Sequence, residues 1–153
     1  MKYFLTVVAI FLGEFFIKET AQRNEHIKDK QLILGNRIFL WRHHNYGAFL
    51  NFGDDSPKVI RGTSIILTIM CFLGFLKSML KRGREIEKLG WTLLLGGALS
   101  NTYDRIARKY VVDYFGFEIV NTKLGQIVFN LSDFFIMIGA FVVAICSKPK
   151  ARK

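Results

Sequence analysis

Two aspartates, Asp113 and Asp133, stand where apolar sequence meets connecting sequence. Asp133 lies within the apolar run 127–145, which is long enough to cross a bilayer. A carboxylate at the centre of such a helix costs about 2.5–3.5 kcal/mol on insertion scales. An acid kept at that cost is a functional candidate. Asp113 lies in Tyr110-Val111-Val112-Asp113-Tyr114-Phe115, read here as part of the loop that feeds the same helix. Two carboxylates brought together where water is scarce cannot readily both ionise, so the pair holds one proton. That is the equipment for acid–base hydrolysis of a peptide bond.

Other polar residues recur at helical spacing around this pair. Asn101 and Asp104 are three apart, as are Asn130 and Asp133, so each couple shares a helix face. Gly96, Gly97, Ala98 and Ser100 are small and permit close helix contact. Plain structural roles compete with functional ones. Asp104 has Arg108 four residues on and reads as a structural ion pair; Arg105 reads as a partner for carboxylates or lipid headgroups. Glu14 and Lys18, at the favourable spacing, read as a satisfied pair at an external helix end. Asp113, with Lys109 as its nearest cation in sequence, is also readable as a solvated loop acid. Asp133 has only Asn130 as a local polar partner, which argues against a surface ion pair. His43-His44 lacks further His or Cys at ligand spacing, so no metal site is expected.

The elements that must position these groups are membrane helices. Of 153 residues, 51% are hydrophobic and 15 are Phe, the length of one domain, taken as 1–153. Apolar runs at 3–17, 62–80, 89–103 and 127–146 predict four transmembrane helices, since spanning the hydrocarbon takes about 20 residues. The net charge of +10 does not point to nucleic acid, because the basic residues sit where a membrane wants them. Lys2, the stretch 81–88 and the stretch 148–153 fall on one side of a four-helix protein, which puts both termini in the cytoplasm. The connections 18–61 and 104–126 then face outward. No small-x-small site follows the first run, so it reads as a retained helix and not a cleaved leader. Cys71 and Cys146 lie at different depths and read as packing residues, not as a disulfide. In the first external connection, 31–34 and 37–42 flank Gly35-Asn36, a hairpin signal, and 46–52 is a third extended piece. This small sheet, with Trp41 and Tyr46 suited to an interface, is either a cap on the helices or a cradle for a lipid-bearing substrate. The stretch 54–57 reads as a turn.

Four ordered motifs in this chain resemble those of the bacterial lipoprotein signal peptidases, the type II signal peptidases. Asn45-Tyr46-Gly47-Ala48 resembles Asn-x-Gly-Ala, and 96–105 resembles Gly-Gly-x-x-Gly-Asn-x-x-Asp-Arg. Val111-Val112-Asp113-Tyr114 resembles Val-x-Asp-Phe, and Phe129-Asn130-Leu131-Ser132-Asp133 resembles Phe-Asn-x-Ala-Asp. The resemblance implies a four-helix membrane aspartyl endopeptidase with Asp113 and Asp133 as its catalytic pair. Asn45, Gly47, Asn101, Asp104, Arg105, Asn130 and Glu14 would shape the site or hold substrate. Ser100 and Ser132 depart from Gly and Ala, and Glu14 from the usual Asp with Lys18 kept in place. The implied substrate is a prolipoprotein bearing a diacylglyceryl group on the Cys that becomes the mature N-terminus, cut just before that Cys at the outer leaflet. Neither metal nor organic cofactor is implied; the expected partners are that substrate and membrane lipid, acting on a monomer in the bacterial cytoplasmic membrane. The alternatives are a divergent paralogue that binds or cuts other lipidated peptides, and a small transporter using membrane carboxylates as proton sites.

Overall fold

The computed structural model describes residues 1–47, 56–118, 125 and 127–146. Ala48 of the first motif, most of the extended piece expected at 46–52, part of the turn expected at 54–57 and the basic stretch from 148 lie outside these. Four helices appear: α1 (Lys2–Arg23), α2 (Pro57–Met79), α3 (Glu85–Ala107) and α4 (Leu131–Cys146). Three strands, β1 (Gln31–Ile33), β2 (Ile38–Asn45) and β3 (Val111–Phe117), form one antiparallel sheet in the order β1-β2-β3.

The helices begin and end for local reasons. Pro57 opens α2, where its fixed φ suits the first turn and its missing N–H costs nothing. Glu85 and Glu87 lie in the first turn of α3, facing its partially positive end. α1 runs past the expected 3–17 to Arg23, where Asn24 turns extended and caps a short 3-10 helix through His26 N–H. α2 is the one helix among those described that is long and apolar enough to cross a membrane, with a mean hydropathy of 2.0. α1 and α3 carry charges, but several are folded inward: Glu14, Lys18 and Asp104 are buried. The outer faces are apolar instead, as at Ile66, 61% exposed, and Phe141, 67% exposed. An exposed apolar surface of this extent marks a face that meets a membrane or a protein partner.

α3 is the central helix, packed on α1, α2 and α4. Its contact with α4 is made possible by glycine. A Cβ on Gly97 would lie 2.5 Å from Ser132 O, and one on Gly139 would lie 2.5 Å from Leu94 N. Two apolar cores result, one of Val7, Phe75 and Leu95 and the other of Ala21, Ile27, Val112 and Tyr114. Glu14 and Lys18 lie on α1 between Val7 and Ala21, so a polar layer separates the cores.

The sheet differs from expectation in one strand. The hairpin forms around Gly35 and Asn36, both at positive φ, with Ile33 paired to Ile38. Its third strand is 111–117, from the second connection, and pairs His43 with Asp113 and Asn45 with Val111. Asp113 therefore sits on a buried strand and not on a loop. A positive φ at Lys109 makes the tight reversal from α3 into β3.

Candidate active site

The segment preceding α4 does not continue as helix from residue 127, as the apolar run suggested. It pairs with β3 instead: Phe129 N–H donates to Phe115 O at 2.7 Å, and Tyr114 N–H donates to Phe129 O at 3.0 Å. Rings of Phe115 and Phe134 stack at 5.7 Å over this junction. The helix then starts at Leu131, with Asn130 as the residue before its first turn and Asp133 inside that turn.

The Asn130–Asp133 spacing is therefore a reciprocal cap rather than two residues on one helix face. Asp133 N–H donates to Asn130 Oδ1 at 3.2 Å, and Asn130 N–H donates to Asp133 Oδ2 at 3.1 Å. This is the pattern of a capping box, built from Asn and Asp. Asn130 also reaches the other acid, its Nδ2 donating to Asp113 Oδ1 at 2.6 Å. One residue thus binds both carboxylates. Asn45 Nδ2 donates to Asp113 Oδ2 at 3.0 Å, and Asn101 Nδ2 donates to Asp133 Oδ1 at 2.8 Å. Each of the four carboxylate oxygens accepts a hydrogen bond from an asparagine. Among the described residues, neither acid forms an ion pair.

Burial and the neighbouring acid leave the Asp113 carboxyl reluctant to ionise. It is 1% exposed. Burial, followed by the charge of Asp133, pushes its pKa up to about 7, against the opposing pull of the Asn130 and Asn45 hydrogen bonds. Asp133 is half-buried and lines a cavity of 590 Å³ between α2, α3 and α4. Asn101 and Arg105 share its polar end, while Leu67, Ile136 and Met137 make the rest apolar. Arg105 Nη2 donates to Gly47 O at 2.7 Å, and Gly47 N–H donates to Asn45 Oδ1 at 3.0 Å. Arg105 so supports Asn45 through backbone, rather than pairing with a carboxylate, one of the two partners expected of it, and its buried Nε has no protein partner among the described residues.

Behind Asn101 lies a buried charge layer. Glu14 and Lys18, expected as a satisfied pair at an external helix end, do pair but are 1% and 0% exposed. Lys18 Nζ donates to Asn101 Oδ1 at 2.8 Å and Ser100 Oγ at 3.0 Å, and pairs with Asp104 at 3.0 Å and Glu14 at 3.9 Å. Asp104 also pairs with Arg108, as the spacing predicted, and Arg108 reaches Glu19 at 2.9 Å. Glu14 accepts from Tyr114 Oη at 2.8 Å, from Ser132 N–H at 3.0 Å and from Ser132 Oγ at 2.8 Å. The departures noted above, Glu14, Ser100 and Ser132, thus converge on one cluster. The longer Glu14 carboxylate meets the Ser132 hydroxyl, and the Ser100 hydroxyl meets Lys18.

The structure brings together Asp113, Asp133, Asn45, Asn101 and Asn130 directly, with Gly47 one contact further out; Arg105 reaches them through Gly47, and Asp104 and Glu14 through Lys18. Lys18 is the member that spacing alone assigned to a surface pair. His44 stacks on Tyr110 at 4.0 Å and bonds Gln22, a packing role; burial pushes its pKa down. No cluster able to hold a metal occurs among the described residues, and both cysteines are free.

Comparison with known proteins adds to this geometry. The profile of a family described as signal peptidase (SPase) II matches residues 6–148. A lipoprotein signal peptidase of Gloeothece citriformis is 37% identical over 148 residues, covering 96% of this chain and 88% of that protein. One of Mesorhizobium japonicum is 32% identical over 145 residues, covering 92% and 82%. A solved structure described as a bacterial membrane enzyme superposes with a TM-score of 0.79 at 21% identity, covering 99% of this chain and 94% of that one. At that identity the superposition speaks for the fold.

Proposed function

The chain belongs to the signal peptidase II family, bacterial membrane enzymes, and we propose that Asp113 and Asp133 are its catalytic pair. Membership and the relatives' shared activity make it a protease that removes signal peptides from prolipoproteins. The aspartyl mechanism rests chiefly on one observation: Asn130 binds both carboxylates at once, with no cation on either among the described residues. Two acids held together by neutral amides share a proton, whereas cations would let both ionise.

In this mechanism Asp113 and Asp133 hold one proton between them. The ionised member takes a proton from a water whose oxygen attacks the scissile carbonyl carbon. The protonated member donates a hydrogen bond to the carbonyl oxygen as charge develops there. The tetrahedral intermediate collapses as a proton passes to the leaving nitrogen, giving a signal-peptide carboxylate and a free amino terminus on the mature protein. Arg105, at the polar end of the cavity, offers its Nε to a substrate carbonyl. The apolar end receives hydrocarbon of the precursor, so the scissile bond is held at the site before chemistry begins.

The substrate is a precursor carrying diacylglyceryl on the Cys after the cut. All four helices cross the bilayer in this reading, with both termini in the cytoplasm and the sheet at the outer leaflet. The enzyme works as a monomer. Incubating purified protein with matched precursors, with and without the diacylglyceryl group, and weighing the products tests this. Cleavage just before the Cys of the lipidated precursor alone, undiminished by a chelator, is expected. Equal cleavage of both precursors would refute the substrate assignment, and loss of activity with chelator would refute the aspartyl mechanism.

A further inference from the structure

The mechanism uses the Asp pair and its asparagines, but it leaves Lys18 unexplained. This side chain is 0% exposed in a layer between two apolar cores. Replacing a buried ion cluster by well-packed apolar residues is often neutral or stabilising. Stability alone therefore gives little reason for a lysine here.

Its hydrogen bonds give a better one. An ammonium has three donors and no acceptor, and all three are used, on Ser100 Oγ, Asn101 Oδ1 and Asp104 Oδ2. Because Lys18 can only donate, the atom of Asn101 that faces it must be the oxygen. The Asn101 nitrogen is then turned toward Asp133 Oδ1, at 2.8 Å. Rotating the amide by half a turn would set donor against donor at Lys18 and acceptor against acceptor at Asp133. Either mismatch leaves a buried polar group unsatisfied, which costs about 1–3 kcal/mol.

We propose that Lys18 is a positioning residue, which locks the Asn101 amide in the orientation that holds the Asp133 carboxyl in the catalytic pair. The proposal rests on the catalytic reading above. Lys18 is itself fixed from three helices: by Glu14 on its own helix, by Ser100 and Asp104 on α3, and, through Glu14, by Ser132 on α4. The chain Ser132–Glu14–Lys18–Asn101–Asp133 leaves α4 and returns to it one residue further on. The acid is thus referenced to the helix that carries it.

The test is a double-mutant cycle in turnover of a diacylglyceryl-modified precursor. Lys18→Met keeps the aliphatic stem and removes the donors. Glu14 and Asp104 both retain other partners in this variant, Tyr114 and Ser132 for the one and Arg108 for the other. The expected result is a kcat lower by about 100-fold, as for misplacement of a catalytic group, with KM within about two-fold. In an Asn101→Leu background the same substitution should cost less than about two-fold more, because its route to Asp133 is already cut. A Lys18→Met enzyme with wild-type kcat, or an equal further loss in the Asn101→Leu background, overturns the proposal. If Lys18→Met does not accumulate, Glu14→Gln/Lys18→Met removes both charges together and is read in the same way. Failure of both to fold would assign Lys18 to structure and also overturn it. Asp133→Asn in the same assay separates the two readings: activity there refutes the catalytic pair, whatever Lys18 does.

Discussion

Asp104 and Asp113 are equally buried, each 1% exposed, and are set in opposite surroundings. Asp104 lies between two cations, Lys18 and Arg108, and takes the Val112 N–H as well. Among the described residues, Asp113 accepts only from the side-chain amides of Asn45 and Asn130, and it sits beside a second acid. Burial makes both expensive, and the partners decide the result. Paired with cations, an acid becomes a joint between helices. Held by neutral amides next to another acid, it keeps a titratable proton close to neutral pH.

The comparison breaks most visibly at the ion cluster. Asp104→Ala strands Lys18 and Arg108, and should cost about 3–5 kcal/mol, as for breaking a buried pair. Thermal denaturation in detergent would register it as a large fall in midpoint. Asp113→Asn should do the reverse. The Asp113 carboxyl has its folded pKa raised from 3.8 to about 7. The unfolded chain therefore ionises first as pH rises, and the native state loses stability across that window. Removing the acid removes the loss, so at pH 8 Asp113→Asn should melt no lower than the parent.

Gly97→Ala attacks the contact that brings α3 to α4. Its Cβ would sit 2.5 Å from Ser132 O, so the helices must part and Asn101 must retreat from Asp133. Overpacking of this kind costs about 1–3 kcal/mol, and kcat should fall with it. A Gly97→Ala enzyme with full turnover would show that the Asn101–Asp133 contact is dispensable.

Titration offers a finer probe. Above about 7 the shared proton is lost from the pair, so turnover should fall as pH rises through that value, approaching about tenfold per unit. A rate that stays level to pH 9 would place the working acid elsewhere. The smallest effect is expected at Ser132→Ala, which deletes one hydrogen bond to Glu14 but leaves the backbone one. It should cost about 1 kcal/mol and spare most activity.

Much of the site can be read in the sequence. An acid in an apolar run is conspicuous, and two of the three site asparagines, Asn101 and Asn130, stand three residues from acids. Their geometry is not legible in the same way, because one spacing serves several structures. Asn130 and Asp133 turn out to cap a helix, while Asn101 and Asp104 do lie on α3 but diverge, one to Asp133 and the other to Lys18. Lys18 was hidden because Glu14–Lys18 at i, i+4 is also how an exposed pair looks; only tertiary burial tells them apart. β3 was hidden because Val111, Val112, Asp113 and Tyr114 are all buried, so the alternation that marks a half-exposed strand is missing. The lengths of α1 and α4 followed suit, since polar residues extend the first and strand pairing shortens the second.

The central claim is that residues 113 and 133 work as one acid–base unit, and turnover measures it most directly. Asp113→Asn and Asp133→Asn enzymes, verified as folded, should each process a diacylglyceryl-modified precursor at least about 10³-fold more slowly than the parent. Either variant working at the parental rate would contradict the account.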